Sequence, residues 1–430
     1  MHRQEEHHEG RVELDVGGVR YVTSAETLRR VPWTFFGAYF SGRHQLDRSE
    51  DGSIFIDRDG SLFGHVLEYL RDGVVSIAED VDVGLLRRLK REFGFYSIEV
   101  LSKGAAYVMG GWTGSDELIP IVERYDAASD TWSVVAPMNF ARSHFGACEI
   151  SSEVYVTGGV RRTDQLSRKL AIVEKYSPST DTWSEEARMP SARMCHGCVA
   201  VGSSMYIIGG YANSSWINTG TDIVDWKFDT TTDTWTEVAS MPSSLSEVVA
   251  CVLGTHIYVF GAVGNFWNCL LAEAYRYDTE ADEWMGLVPM PEARIHYSVS
   301  ACDSALFVLG GVNGNAYNSL DIDPDIDARS VFRFDPSLNS WTRVASMETG
   351  RRRLTSFVLG GHIYAVGGVD SNNGPLNTVE RYDASANRWS PVANMNVARA
   401  RGTTTIAGGE AGTDLFESLI TRAERGRART

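Results

Sequence analysis

Two hydrophobic rhythms divide this chain. Val12, Leu14 and Val16 alternate with polar neighbours as a half-buried strand, Gly17-Gly18 turns the chain, and Tyr21-Val22 begins a return strand. Thr23-Ser-Ala-Glu26 has the form of a capping box opening a short helix through Leu28. Trp33, Phe35, Phe36, Tyr39 and Phe40 make an aromatic stripe near helical spacing, and Ile54 and Ile56 a third strand that ends at the turn Asp57-Arg-Asp-Gly60. Leu62, Phe63, Val66, Leu67 and Leu70 share one helical face up to Gly73, and Leu85, Leu86, Leu89 and Phe93 another, closed by Gly94. Together these predict a small α+β domain over 11–101, behind a disordered tail at 1–10.

From Ala105 the period of two takes over and repeats. A short apolar run ends at a Gly pair: Gly110-Gly111, Gly158-Gly159, Gly209-Gly210, Gly310-Gly311, Gly367-Gly368, with the remnant Gly261-Ala262. A Trp follows each pair, at Trp132, Trp183, Trp235, Trp284, Trp341 and Trp389, and a Met lies six residues beyond each Trp. A period of roughly 50 residues with this content is the mark of a radial β repeat, each unit folding as a four-stranded antiparallel blade. In the third unit, strands are expected at Gly197–Val201, Met205–Ile208, Val224–Asp229 and Trp235–Ala239. Only Lys103-Gly104 precedes the first strand of unit one, which leaves no room for an inner strand. The string at 402–409 aligns with the inner strand of unit six. The expectation is therefore a six-bladed propeller over 105–409, blade one closed by the strand 402–407, with both sheet edges removed. A tail, 410–430, follows.

The α+β unit resembles BTB domains of the potassium-channel-tetramerisation type. Leu14-Asp-Val-Gly-Gly18, Thr23-Ser24 with Thr27-Leu28, Phe40-Ser-Gly-Arg43, 51–60 and Leu67-Glu-Tyr-Leu-Arg-Asp-Gly73 carry the likeness. The resemblance implies homo-oligomers, tetramers or pentamers, and docking to a cullin-3 scaffold, with Phe36, Tyr39, Phe40 and Arg43 at the oligomer or cullin interface. The unit has no Cys for the zinc cluster of some channel versions. The second unit, with its Gly pair, Tyr-Asp step, Trp and Met, resembles the kelch repeat. The pairing implies a substrate-recognition adaptor of a cullin-3 ubiquitin ligase, the propeller binding the target. A non-ligase cytoskeletal or actin-binding scaffold is the alternative, since no helical spacer fits between Phe95 and Ala105. A copper oxidase on the propeller is a third reading.

Composition narrows these readings. A net charge of −16 over 430 residues argues against a nucleic-acid surface. No apolar run approaches the ~20 residues of a membrane helix, and 1–10 is no signal peptide. A cytoplasmic, possibly nuclear, protein is expected, without membrane or nucleic-acid partners. All six Cys lie within 148–302 and read as small buried hydrophobes of a reducing compartment. Cys195-His-Gly-Cys198 has a metal-like spacing, but residues three apart on a strand face opposite ways. Asp321–Asp327 alternates acids without the Gly and Glu of a calcium hand. No cofactor, metal or catalytic site is expected.

Antiparallel order places the long loops between second and third strands at the same end as the links between blades. The links carry Arg142, Arg193, Arg294, Arg351 and Arg399, four residues past the Met, with Leu245 breaking the series. Arg352, Arg353 and Arg401 add to them, and the loops add Trp112, Tyr211, Trp216 and Trp267. Arg and aromatics on one face compose a protein-binding surface suited to carboxylates or phosphates. His144, His196 and His296, near the starts of inner strands, are the candidate metal cluster of the oxidase reading.

Overall fold

In the computed structural model, residues 11–29, 36, 40, 49, 51–72, 82–96, 105–114, 117–127, 129–163, 166–212, 224–243, 245, 247–261, 271–312, 328–384 and 386–407 are described. They fall into two compact units, one ending before residue 103 and one beginning there.

The first unit has a three-stranded sheet, β1 (Arg11–Val16), β2 (Val19–Ser24) and β3 (Ile54–Ile56), in the order β2-β1-β3. β1 and β2 form the hairpin that alternation predicts, and β3 runs parallel to β1. The turn needs glycine at Gly17: φ is +53°, and a Cβ there would stand 2.1 Å from the Arg58 carbonyl oxygen. Among the described residues three helices share the sheet's core: α1 (Ala25–Arg29), α2 (Gly60–Asp72) and α3 (Val83–Phe95). The α1 cap differs from the expected box. Ser24 Oγ accepts the Thr27 amide at 3.0 Å, so Ser24 is the N-cap, while Thr23 is buried on the strand.

All five predicted apolar positions of α2 are buried, and the core closes with Phe36 stacked on Tyr96 at 4.9 Å and tilted against Phe63 at 5.7 Å. Phe36 is fully buried and Phe40 nearly so, which withdraws both from the expected interface; they hold the unit's interior. Tyr39 and Arg43 lie outside the described residues. Beside the core, Arg58 takes both oxygens of the buried Glu92 carboxylate, at 2.8 and 3.2 Å, and its guanidinium covers Phe95 at 4.3 Å.

The second unit is the six-bladed propeller. Among the described residues each of its six blades is a four-stranded antiparallel sheet, and Val160–Thr163 pairs with Leu166–Lys169 as a separate two-stranded hairpin. In blade three the four strands span Gly197–Val201, Ser204–Ile208, Asp225–Asp229 and Thr234–Val238. Thr403–Ala407 pairs with Ala105–Met109, so the last inner strand belongs to the first blade. The repeated residues form the joints. Each Trp tilts over the aromatic of its neighbouring strand, as Trp183 does on Tyr176 at 5.1 Å and Trp389 on Tyr382 at 5.0 Å. Its indole N–H donates to a carbonyl of the preceding blade: Trp183 to Ala136 at 2.8 Å, Trp389 to Ala345 at 2.9 Å. Trp132 donates to Ala393 at 2.9 Å and thereby joins blade one to blade six. A wheel of identical joints leaves only short strand edges on each blade.

Candidate functional site

The propeller's loop-bearing end is the candidate partner-binding face. Antiparallel bridges tie five of the six links to the loop beside them: Trp112 to Ala400, Ser143 to Val160, Met194 to Tyr211, Ile295 to Val312 and Arg352 to Val369. The topology therefore brings links and loops to one end, but it does not bring the expected side chains to the surface.

Arg142, Arg193, Arg294, Arg351 and Arg399 are all at most 2% exposed. Each reaches from its link into the blade it enters and donates to the carbonyl of the first Gly of that blade's pair, as Arg142 does to Gly158 at 2.9 Å and Arg351 to Gly367 at 3.0 Å. The second terminal nitrogen of each is bonded as well, while the Nε finds a partner among the described residues in Arg351 alone. Arg142 pairs with the buried Glu174, Arg351 with Glu380 at 2.8 Å and Arg399 with Glu123 at 2.7 Å. Arg294 donates to Glu292 at 2.5 Å and lies over Phe332 at 5.0 Å. Arg193, whose acid is Asp225, donates to Val224 O at 2.9 Å.

Burial pulls Arg193 down to about 10 and raises Asp225 to about 6, with the Gly209 and Met241 amides on Asp225 opposing the rise. These five arginines are internal ties, and a direct contact role is closed to them by burial. Blade four shows the apolar equivalent. Leu245 is fully buried where the others have Arg, and Tyr275 takes the place of the glutamate.

The aromatics divide. Trp112 is half-buried and hydrogen-bonded through its backbone to Ala400. Tyr211 is 5% exposed beneath Lys169, so it too is packing rather than surface. Trp216, Trp267 and the 321–327 loop lie outside the described residues.

The three histidines do not meet. His196 is buried between blades, its Nε2 2.9 Å from Thr157 Oγ1, while His144 and His296 stand at the channel mouth. Among the described residues no group of three or more His, Cys, Asp or Glu is placed to hold a metal ion. Cys195 and Cys198 also part company. Cys195 turns to Glu247, Sγ to Oε1 3.2 Å, while Cys198 shares a thiol hydrogen bond with Cys148 of the neighbouring blade, both cysteines being free. That bond, then burial, holds the Cys148 thiol well above its ordinary range; burial does the same for Cys195 and lifts Cys302 to about 11. None is a ready nucleophile.

Two residues past each buried Arg or Leu stand His144, Cys195, Glu247, His296, Arg353 and Arg401. All six are partly exposed, and all six have left-handed backbone, φ between 54° and 58°. The main chains of five of them join in series: Cys195 N–H to His144 O at 2.9 Å, His144 N–H to Arg401 O at 3.3 Å, Arg401 N–H to Arg353 O at 3.0 Å and Arg353 N–H to His296 O at 2.6 Å. They crown the central channel. The residue two past the link Arg is the signal in the sequence that would have found this set, read down the six repeats rather than along one.

Comparison with known proteins agrees with both units. The KLHDC2/KLHL20/DRC7 Kelch-repeats domain matches residues 97–311, half of the chain, and the Kelch motif matches 293–348 and 350–396. The BTB/POZ domain matches 12–104. Kelch-like protein 23 of Homo sapiens is 27% identical over 278 residues, 64% of this chain and 45% of that protein. Kelch-like protein 25 of Xenopus tropicalis is 26% identical over 231 residues, 53% of this chain and 37% of that one. The match thus spans less than half the length of these relatives. The solved structure of YjhT superposes with a TM-score of 0.54 at 15% identity, over 68% of this chain and 97% of that one, which speaks to the fold alone. No helix of the described residues is long and apolar enough to cross a membrane. The chain belongs to the Kelch-repeat family, with an N-terminal BTB/POZ domain of the potassium-channel-tetramerisation type ahead of the propeller.

Proposed function

We propose that this chain is a substrate-recognition adaptor of a cullin-3 ubiquitin ligase. The first unit gathers copies and docks the cullin, and the propeller holds the target. The single observation that carries this reading is the pairing of a BTB/POZ domain over 12–104 with Kelch repeats in one chain. Its support is a family trait, and the site must carry the rest.

For the assembling half, the outer face of the sheet is the candidate. Val22 and Phe55 are 48% and 57% exposed there, beside Glu13, Asp15 and Arg20. Apolar groups among charges of both signs suit a second copy of the same unit. Several propellers on one particle would raise avidity for a repeated target without new contacts.

The test is a pull-down with purified cullin-3 N-terminal domain, using the full chain. Retention at micromolar concentration supports the adaptor; its absence, with the chain folded and self-assembled, rejects it. The second reading, a scaffold without a ligase, is favoured by one feature: only 96–104 lie between the last helix of the first unit and the first propeller strand, which leaves no room for a helical spacer. In that case target capture survives without cullin.

A further inference from the structure

Blade four departs from its own repeat on its outer side. One residue past the Trp stands Met285, where the other five blades carry Ser or Thr. Four past it stands Val288, where the other five carry Ala, and three before the next Trp stands Leu338, where the others carry Ser, Thr or Ala. All three are exposed, Leu338 by 73%. Large apolar side chains that face solvent where the same repeat elsewhere keeps small or polar ones are the material of an interface.

Geometry gathers them at the outer rim between blades four and five. Val288 donates its amide to Asn339 Oδ1 at 3.1 Å and takes the Trp341 indole on its carbonyl at 3.2 Å, which sets it beside the turn that carries Leu338. Trp284 reaches back to Ala239 of blade three at 2.7 Å, so its neighbour Met285 points the other way, toward blade five. Met285 lies on Glu283–Gly286, the outermost strand of its sheet. Blades two, three, five and six guard the equivalent edge with Glu, Glu, Arg and Pro two residues past the Trp. Blade four has Gly286 there, and a Cβ added to it would meet nothing within 4 Å. Blade one, with Val134, shares the open edge but not the charge described next.

The turn beside this edge is the most acidic of the six. Four of the six positions 278–283 are Asp or Glu, and no other blade has more than two over the equivalent stretch. Asp278 is spent on the Glu280 and Ala281 amides, and Asp282 on the Tyr277 hydroxyl and the Ala239 amide. Glu280 and Glu283 are exposed and enter no ion pair among the described residues. Arg276 lies against Met285, Nη2 to Sδ 3.5 Å, and offsets one of the four charges. Antiparallel order puts these turns at the end opposite the links and long loops, so the rim is separate from the loop-bearing face.

We propose that this rim docks an extended, basic and apolar segment of a partner protein, laid along Glu283–Gly286 as a fifth strand of blade four. Its apolar side chains, on one face of the strand, cover Met285, Val288 and Leu338, and a Lys or Arg at its end meets Glu280 and Glu283. Main-chain bonds to an unguarded edge supply affinity, and the side chains on either side of it supply choice. The surface is independent of the cullin reading and of target capture at the loops.

The test uses the full chain and an N-acetylated, C-amidated peptide Lys-Leu-Thr-Leu-Thr-Leu-Lys, with a counterpart carrying Glu at both ends, by isothermal titration. The parent should bind the lysine peptide on the order of tenfold more tightly than the glutamate one. Met285→Ser/Val288→Ala/Leu338→Thr restores residues that other blades carry. It should melt as the parent does while its affinity for the lysine peptide falls on the order of tenfold or more. Leu338→Thr alone, at the most exposed position, should weaken binding in the same direction. Glu280→Gln/Glu283→Gln should narrow the gap between the two peptides. Unchanged affinity in the triple variant, equal affinity for both peptides, or no saturable binding at millimolar peptide would each overturn the proposal. A particle mass that falls in the triple variant by light scattering would place a second copy on the rim and overturn the choice of occupant.

Discussion

Replacing Arg351 with alanine separates an internal tie from a ligand contact. The Arg351 guanidinium donates to Gly367 O at 3.0 Å, Thr378 O at 2.8 Å and Thr378 Oγ1 at 2.9 Å, and to Glu380 at 2.8 and 3.2 Å. Its side chain is 0% exposed and that of Glu380 3%. Without the arginine, Glu380 keeps the Glu348 and Thr349 amides but no counter-charge. Stranding one member of a buried pair costs about 3–5 kcal/mol. For a domain of this size that is on the order of 10 °C in melting temperature.

The assay is guanidinium and thermal denaturation followed by tryptophan fluorescence. Arg351→Leu with Glu380→Tyr, which copies the Leu245 and Tyr275 of blade four, is the rescue. It should recover most of the loss, because a well-packed apolar pair substitutes for a buried ionic one. If Arg351→Ala melts within about 1 °C of the parent and loses target binding, the guanidinium faces a ligand and the burial argument is wrong.

Two further outcomes follow from the same geometry. Asp225 titrates at about 6 in the folded chain against an ordinary 3.8. A raised acid contributes stability below its unfolded pKa and loses it as pH rises through the folded one. Stability should therefore fall by about 3 kcal/mol from this group between pH 4 and 6, and in Asp225→Asn that slope should flatten in denaturant midpoints measured across the window; an unaltered slope rejects the assignment. Phe55→Glu, on the exposed face of the first unit, should lower the particle mass seen by light scattering without lowering the melting temperature; an unchanged mass places self-assembly elsewhere.

The architecture was legible because its joints are sequence-local. Gly pair or its remnant, aromatic step, Trp and Met recur in a fixed order, the Met always six residues past the Trp, so the wheel and its six blades follow from counting. Trp183 shows why: its ring packs on its own blade and its N–H closes the gap to the previous one. The functional surface was less legible. Arg142 and its four equivalents have the composition of a binding surface, and only the partners Glu174, Glu380 and Glu123 on the strand that follows show that the charge is spent internally. Phe36 and Phe40 misled likewise, since a dense aromatic stripe says nothing about which members face inward. The crown residues were hidden for the opposite reason. His, Cys, Glu and Arg look unrelated in sequence, and only their shared left-handed backbone, with main-chain bonds joining five of the six, makes them one set.

The central claim is that propeller capture commits a target to the ligase. The most direct measurement is the half-life, in cells, of the proteins captured by the parent chain, with and without the chain. Those proteins should live longer when the chain is removed. Unchanged half-lives, with capture intact, would contradict the adaptor and leave a scaffold.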